Sequence, residues 1–289
     1  MEVAFSHWSA SWPALIAYVV AAGLHCAGLP KVLASGGDSG TDRRALRREA
    51  ALYQLGLLVV LLALVSPVGY YSTQYIWVRA SQELLVGVFG PALIVIGAPW
   101  TAFRLAVGRP AASRRSGQQP RLLSRPVPAM IVVNVLWIGW LVPPLFDASR
   151  ANSALALAER ASYLAAGLLF WLQMTSSRPF IQRVAPLRRM ALLVGTVAAW
   201  TVLGMALVFG ANVLYPGYHN SAHHVMSVLD DQQLAGAVLW MGVLPAMLAE
   251  AVALMMEWLR DEESAELSAG LDRLLTPRRN GWPSRPVIR

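Results

Sequence analysis

The sequence of 289 residues contains a single cysteine, Cys26, and few charged residues. One cysteine excludes an internal disulfide framework and any Cys-x-x-Cys metal or redox pair. Charged residues make up 14% of the chain, whereas 56% is hydrophobic and 11 residues are tryptophan, which excludes an ordinary soluble domain and favours a multi-pass membrane protein. The first residues, MEVAFSHWSASW, lack the basic segment that begins a signal peptide, so we expect the first apolar run to be retained.

Seven continuous apolar runs are long enough to cross a bilayer, for which a helix needs about 20 residues. The runs are unbroken rather than alternating, and this favours helices over a barrel. The sequence therefore predicts an all-α fold, with a seven-helix transmembrane domain over residues 1–258. The predicted tail, 259–289, has a short amphipathic helix and a basic, disordered end. The seven runs lie at approximately 12 to 30, 48 to 68, 81 to 103, 127 to 146, 154 to 175, 188 to 211 and 232 to 258.

Basic residues are unequally distributed between the two predicted sides of the membrane. The loops after the first, third and fifth runs, together with the tail, hold all of the 24 Lys and Arg residues except Arg79, Arg150 and Arg160. The positive-inside rule then predicts that the N-terminus is outside and the C-terminus is in the cytoplasm, as in a bacterial plasma membrane protein. The formal net charge of +8 reflects this topology and attraction to anionic lipid, rather than nucleic-acid binding.

The segment from Tyr215 to Trp240 contains three of the five histidines and no Lys or Arg, and the predicted topology places it outside. Imidazole and thioether groups suit copper, and several must converge to retain an exchangeable ion. The sequence predicts a copper site here, and His7 lies on the same predicted side. The open alternative is that these are ordinary polar residues of a solvated loop. The predicted ligands are His219, His223, His224 and Met226.

The adjacent residues His25 and Cys26 form a second candidate metal pair, near the inner end of the first predicted span. A soft metal ion accepts both groups. The alternative interpretation is structural: a buried histidine that is hydrogen-bonded to a carbonyl, beside a small apolar thiol.

Two pairs of opposite charges are predicted at the outer boundary of the membrane. Arg79 and Glu83 are four residues apart, which places them on one face of a helix. Glu159 and Arg160 begin the fifth predicted span and form the second predicted pair, at the same depth. We interpret both pairs as structural, because a charge near the interface costs less than one in mid-membrane. The functional alternative is that Glu83 binds a cation or a basic group of a partner.

Local signals predict how several helices begin, bend and pack. Asp230, with Gln233 three residues later, resembles a capping box. Proline removes an internal hydrogen bond, so Gly90-Pro91 predicts a kink in the third span. Asn134 predicts an interhelical hydrogen bond. Small residues permit close helix packing in the sixth span, at Gly195, Gly204 and Gly210.

The stretch SVLDDQQLAGAVLW resembles the Asp-Gln-Gln-Leu-Ala-Gly-x-x-x-Trp signature of the CtaG-like family of seven-span cytochrome c oxidase assembly factors. SPVGYYSTQYIWVRASQELLVGVFGPALIVIGAP and NSALALAERASYLAAGLLFW are similar to other regions of that family, so the resemblance covers most of residues 50 to 245. It implies a non-enzymatic factor of the respiratory chain that assists copper-centre formation on the extracytoplasmic face. The implied partners are respiratory oxidase subunits and the lipid bilayer, with no nucleic acid.

The sequence also departs from the family pattern. Arg79 and Glu83 occupy the positions of a His-x-x-x-His pair that is common in the family. Leu141, Ala156 and Arg160 occupy the positions of further histidines. An alternative function therefore stays open: a metal-free accessory subunit or partner-binding scaffold, in which ion pairs tether the helices in place of a cation. A transporter is disfavoured by the lack of an inverted repeat, and an enzyme by the lack of a nucleophile and base pair.

Overall fold

A computed structural model describes residues 8, 11–35, 40–109, 125–177, 180, 184–219 and 226–275. Over these residues the chain is helical apart from its connections and one isolated bridge between Ser177 and Phe180, so the predicted all-α fold is confirmed. The helices are α1 (Trp12–Ser35), α2 (Gly40–Val65), α3 (Pro67–Tyr71), α4 (Ile76–Leu84), α5 (Gly90–Ile96), α6 (Trp100–Ala106), α7 (Pro126–Gly139), α8 (Pro143–Ala151), α9 (Ser153–Met174), α10 (Pro186–Val208) and α11 (Val228–Leu275).

Six helical segments of the described chain are long and apolar enough to cross a membrane, which confirms a polytopic membrane protein. The bent pair α7 and α8 makes a seventh span if it counts as one. The segment Ile76–Ile96 is central, because 72% of its most apolar window is buried, against 11% to 33% for the other five. Which end of the bundle faces the cytoplasm stays a prediction from the distribution of charge. The other five segments are Trp12–Ala34, Arg43–Val65, Ser153–Met174, Pro186–Val208 and Val228–Ser268.

The predicted fourth span, 127 to 146, contains a sharp bend. Helix α7 ends at Gly139, α8 begins at Pro143, and the two helices are bent by 67°. Pro143 and Pro144 have no N–H with which to continue the ladder of α7, and a residue before proline is restricted to extended conformations. Val142 is accordingly extended, with a ψ of 125°.

The Gly90-Pro91 step lies directly after a π-helical turn, Leu85–Phe89, rather than inside a regular α-helix. The N–H of Gly90 bonds to the carbonyl of Leu85, five residues earlier. Pro91 has no N–H to restore α-helical pairing on the next turn. Such π-turns are a recognised cause of helix distortion, so the irregularity that the sequence predicts here takes the form of a wider turn.

Close helix packing occurs at glycines, although not always at those predicted. Gly204 of α10 faces Gly236 of α11, where an added Cβ would lie 3.1 Å from the Gly236 carbonyl oxygen and 2.6 Å from the Cβ of Trp240. The prediction for Gly195 is wrong, because no atom lies within 4 Å of an added Cβ. Gly210 follows α10 and meets mainly the Ala206 carbonyl oxygen of its own chain segment. The predicted interhelical bond of Asn134 is confirmed, since its Nδ2 donates to the Thr196 hydroxyl at 3.2 Å.

Gly167→Ala is expected to lower the free energy of unfolding by about 3 kcal/mol, because overpacking displaces backbone here. A Cβ on Gly167 of α9 would lie 2.0 Å from the Gly87 carbonyl oxygen and 2.6 Å from Cγ of Pro91. The matched control is Gly195→Ala on α10, where alanine only raises helix propensity by about 1 kcal/mol. Thermal and denaturant unfolding of the purified protein measure both. Equal stabilities of the two variants would contradict this packing.

Helix α11 is a single helix of 48 residues, and it is capped differently from the prediction. Asp230 is not the N-cap. The Ser227 hydroxyl accepts from the Asp230 N–H at 3.1 Å and donates to its carboxylate at 2.6 Å, so Ser227 is the cap and Asp230 its partner. Ser227 rather than Asp230 is the N-cap because its hydroxyl reaches the third N–H of the helix. The helix runs on past residue 258, so the proposed division into a membrane domain and a tail stays a prediction, and 276–289 lie outside the described residues.

Candidate functional site: a charged cavity at one end of the bundle

Three segments meet at one end of the bundle, which we call the cavity end: residues 66–75, 140–152 and 209–219. Two buried tyrosines join them. The Tyr218 hydroxyl donates to the Ser72 carbonyl at 3.1 Å, and the Tyr215 hydroxyl donates to the Leu141 carbonyl at 2.8 Å. Arg150 adds a bond to the Thr73 carbonyl at 3.3 Å. The cavity end is therefore held by side chains that reach across from one connection to another.

The two tyrosines stay protonated at neutral pH because burial raises the pKa of both hydroxyls. Each can then donate its hydrogen to the carbonyl that it contacts. Their rings also pack on Phe146, with centroids 4.1 Å away for Tyr215 and 6.0 Å away for Tyr218. The segment before His219 thus forms an aromatic layer over helix α8.

Arg79 is the centre of a buried network beneath this layer, with only 6% of the residue exposed. Its Nε lies 3.2 Å from the Glu83 carboxylate, and its Nη2 lies 2.5 Å from the Glu159 carboxylate. Nη1 donates to the Phe146 carbonyl at 3.0 Å, and Nη2 also donates to the Ser149 hydroxyl at 2.6 Å. The guanidinium carbon lies 3.6 Å from the centre of the Phe146 ring. One side chain therefore joins α4, α8 and α9.

The predicted Arg79–Glu83 pair is confirmed, but the predicted Glu159–Arg160 pair is wrong. The Glu159 carboxylate binds Arg79 instead. Consecutive residues of a helix do not face each other, and Glu159 is the one whose carboxylate reaches α4. The two predicted charge pairs are consequently one network around a single arginine.

A cavity of about 60 Å³ adjoins this network. That volume holds a few water molecules or one small polar group. Four positions at which the family resemblance implies histidines line it: Arg79, Glu83, Ala156 and Arg160. The fifth, Leu141, is buried and accepts the Tyr215 bond. The other lining residues are Ser72, Thr73, Gln82, Val86, Ser149, Arg150, Glu159 and Tyr163.

Tyr163 connects the cavity to the middle of the bundle. Its hydroxyl lies 3.0 Å from the Trp137 carbonyl oxygen and 3.3 Å from the Glu83 carboxylate, so its single hydrogen has two acceptors. Trp137 is fully buried against Phe170 and Trp200. Below Tyr163 the bundle is therefore packed with aromatic rings.

The Asp-Asp-Gln-Gln stretch at the start of α11 positions the site, a role that its sequence did not indicate. Asp231 is fully buried and accepts from the N–H groups of Ile76, at 2.8 Å, and Trp77, at 3.0 Å. It therefore caps α4, the helix that carries Arg79. A buried carboxylate that accepts from two orphan N–H groups at a helix N-terminus also complements the helix dipole.

The two glutamines hold the connection between α10 and α11. Gln232 accepts from the Leu214 N–H at 2.7 Å and donates to the Asn212 carbonyl at 3.1 Å. Gln233 donates to the Gly210 carbonyl at 3.3 Å. The capping box that the sequence predicts includes Asp230 and Gln233 and gives no role to Gln232.

The structure describes two of the four predicted copper ligands, His219 and Met226. His219 is exposed, and its Nδ1 lies 3.0 Å from the Pro216 carbonyl oxygen. Met226 lines an apolar groove with Tyr71 and Tyr75. Among the described residues, no group of three or more His, Cys, Asp and Glu could hold a metal ion. His223, His224 and His7 lie outside the described residues, so the copper site stays a prediction.

The donors of the cavity itself do not fit copper. They are carboxylates and guanidinium groups, whereas copper prefers imidazole, thiolate and thioether ligands. The Arg79 guanidinium also lies between Glu83 and Glu159, and it has no lone pair to offer a metal. The family's implied copper therefore has no set of ligands among the described residues of this cavity.

The pair His25 and Cys26 shares one polar neighbour on α2. Nε2 of Gln54 lies 3.2 Å from the buried His25 Nδ1 and 3.6 Å from the Cys26 sulfur. The structural interpretation needs correction in two respects. The partner of His25 is a side-chain amide rather than a carbonyl, and Cys26 is exposed.

Comparison with known proteins gives a family match over most of the chain. The sequence model of the family described as cytochrome c oxidase caa3 assembly factor (Caa3_CtaG) matches residues 23–261. Uncharacterised proteins of Mycobacterium leprae and Mycobacterium bovis are each 26% identical, over 247 and 244 residues. These matches cover 75% of this chain but 36% of each relative, so the chain spans about a third of the length of the curated relatives. No solved structure matches.

Proposed function

Because this chain belongs to the cytochrome c oxidase caa3 assembly factor family, we propose that it assists assembly of a cytochrome c oxidase in the bacterial plasma membrane as a non-catalytic protein. Its cavity end faces the extracytoplasmic side and holds an assembling oxidase subunit. The respiratory oxidase subunits and the lipid bilayer are then its partners. The family match supports a role in oxidase assembly, and the internal geometry of the cavity end supports the holding of an oxidase subunit.

The observation that carries this proposal is the position of Arg79 between Glu83 and Glu159. A guanidinium is always protonated and cannot exchange as a bound metal ion does. The network therefore fixes α4, α8 and α9 relative to one another without a dissociable cation. Such a network favours a scaffold function, in which the protein binds its partner through the surface that these fixed helices form.

Copper handling by the loop is the second candidate, and the orientation of His219 favours it. Its Nδ1 lies 3.0 Å from the Pro216 carbonyl oxygen. Metal-binding histidines commonly donate one ring N–H to a carbonyl, which fixes the ring and leaves the other nitrogen for the metal. Copper would be held by His219, His223, His224 and Met226, and it would serve the copper centre of the oxidase.

Complementation of a deletion strain tests both candidates. We expect cells without the gene to lose cytochrome c oxidase activity and the wild-type gene to restore it. A variant with His219→Ala, His223→Ala and His224→Ala is expected to restore activity equally, because the scaffold acts without copper. The matched control carries Asn220→Ala, Ser221→Ala and Val225→Ala in the same segment. Oxidase activity, the haem spectrum and the copper content of the purified protein are measured.

Each outcome separates the candidates. Full activity in the deletion strain would contradict oxidase assembly altogether. Copper handling would replace the scaffold if three results occur together. The defect is confined to the histidine variant, copper in the medium corrects it, and the purified variant has lost its copper.

A further inference from the structure

Three arginines lie on the predicted outer side of the membrane, and all three line the cavity. Arg79, Arg150 and Arg160 come from α4, α8 and α9, which are separate elements of the chain. They are the only Lys or Arg residues that the sequence places on that side. The basic residues of the predicted outer side are therefore concentrated in the wall of this cavity.

The partners of these arginines differ. Arg79 is shared by two carboxylates. Arg150 is exposed, donates to the carbonyl oxygens of Thr73 and Gly217, and has the ring of Tyr218 at 5.0 Å. The Asp147 carboxylate lies beside Arg150, since both would be within 4 Å of a Cβ on Gly217. Arg160 is half-buried and close enough to Glu159 to be attracted by its charge, but it makes no hydrogen bond or direct ion pair within the described part of the chain.

The charge of Arg160 is costly where it lies. Arg160 belongs to a candidate membrane span that begins at Ser153, so it is about two helical turns, or about 10 Å, from the end of that span. A guanidinium held out of water without a counter-charge is unfavourable, and charged residues inside spans face a cavity or a partner. The two cavity carboxylates already bind Arg79, and Glu83 also lies 3.3 Å from the Tyr163 hydroxyl. Arg160 therefore has no carboxylate of the described chain in direct contact to supply its counter-charge.

An oxyanion supplies that charge in the geometry that arginine binds best. Guanidinium groups bind phosphate oxygens through two parallel N–H donors. A cavity of about 60 Å³ accommodates a phosphate group. The long arginine stem also lets the head of Arg160 reach toward the membrane interface, where lipid phosphates lie.

We propose that Arg160, together with Arg150, binds phosphate oxygens at this cavity, supplied by an anionic lipid headgroup or by free phosphate. The position of Arg160, which is half-buried in the cavity wall beside Arg150 and makes no direct ion pair, carries this inference. The site goes beyond the proposed oxidase assembly and does not depend on it. An acidic side chain of a partner protein is a different occupant, and the experiment below separates it.

The test uses the full chain, purified and placed in phosphatidylcholine nanodiscs. In one arm, phosphatidylglycerol is included and lipid adducts are counted by native mass spectrometry. In the other arm, inorganic phosphate is titrated against chloride at equal ionic strength and thermal unfolding is followed. Arg160→Gln is expected to weaken the binding that the wild type shows by about tenfold or more, because it removes a charge-assisted bidentate contact. The matched control is Arg260→Gln, which removes an exposed arginine of α11.

The arms identify the source. Retention of phosphatidylglycerol alone assigns the site to a lipid headgroup, whereas stabilisation by inorganic phosphate assigns it to the free ion. Arg160→Gln is expected to fold without ligand at least as well as the wild type, because it removes an unpaired charge. No binding in either arm, or an equal loss in Arg160→Gln and Arg260→Gln, would overturn the proposal. Binding of an oxidase subunit that Arg160→Gln abolishes while both arms stay negative would assign Arg160 to a protein carboxylate instead.

Discussion

Replacement of Arg79 by methionine is expected to lower the free energy of unfolding by about 4 kcal/mol, because it leaves uncompensated buried charges. Glu83 and Glu159 would face each other with no cation between them, and each is about 95% buried. The variant also removes the donors to the Phe146 carbonyl and the Ser149 hydroxyl. Reversible unfolding in detergent, followed by tryptophan fluorescence, measures the loss.

A triple variant distinguishes charge from packing. Arg79→Met combined with Glu83→Gln and Glu159→Gln removes all three charges, and neutral replacement of a buried ionic group is often close to neutral in stability. We expect it to recover most of the loss. Arg260→Met changes an exposed residue and is expected to stay within about 0.5 kcal/mol of the wild type. If the triple variant is as unstable as the single one, the side-chain volume of Arg79 rather than its charge holds α4, α8 and α9 together.

The neighbouring aspartates of α11 are expected to differ sharply when each is replaced by alanine. Asp231→Ala leaves the N–H groups of Ile76 and Trp77 without their buried acceptor, which costs about 1–3 kcal/mol for each group, or about 4 kcal/mol together. Asp230→Ala removes an exposed partner of Ser227 and costs about 1 kcal/mol. Equilibrium unfolding of the two purified variants compares them.

The difference has a structural consequence as well as an energetic one. Without Asp231 the first turn of α4 loses its cap, so amide hydrogen exchange of residues 76–79 is expected to accelerate in Asp231→Ala and to stay near the wild-type rate in Asp230→Ala. Equal exchange in both variants would show that packing alone holds α4. Asp231 thereby positions Arg79 indirectly, because it caps the helix that carries this arginine.

Several local features followed from the sequence, because they depend on residues that are near one another in the chain. The Arg79–Glu83 pair is set by one helical turn, and the irregular turn before Pro91 comes from a missing N–H donor. The prediction of the N-cap of α11 was wrong, because two neighbouring residues are both suited to this position. Ser227 and Asp230 are both good caps, and only the structure shows that the serine is the one used.

A helical membrane bundle can be predicted from the amino-acid sequence, since apolar runs of spanning length permit little else in lipid. The charge pattern predicts its orientation, which nothing in the fold tests. Two contacts are visible only in the folded chain: Glu159 binds Arg79 rather than Arg160, and Asp231 caps a helix 155 residues earlier in the chain. The physical reason is that such contacts depend on how helices distant in sequence rotate and pack against one another, and no local spacing of residues records that rotation.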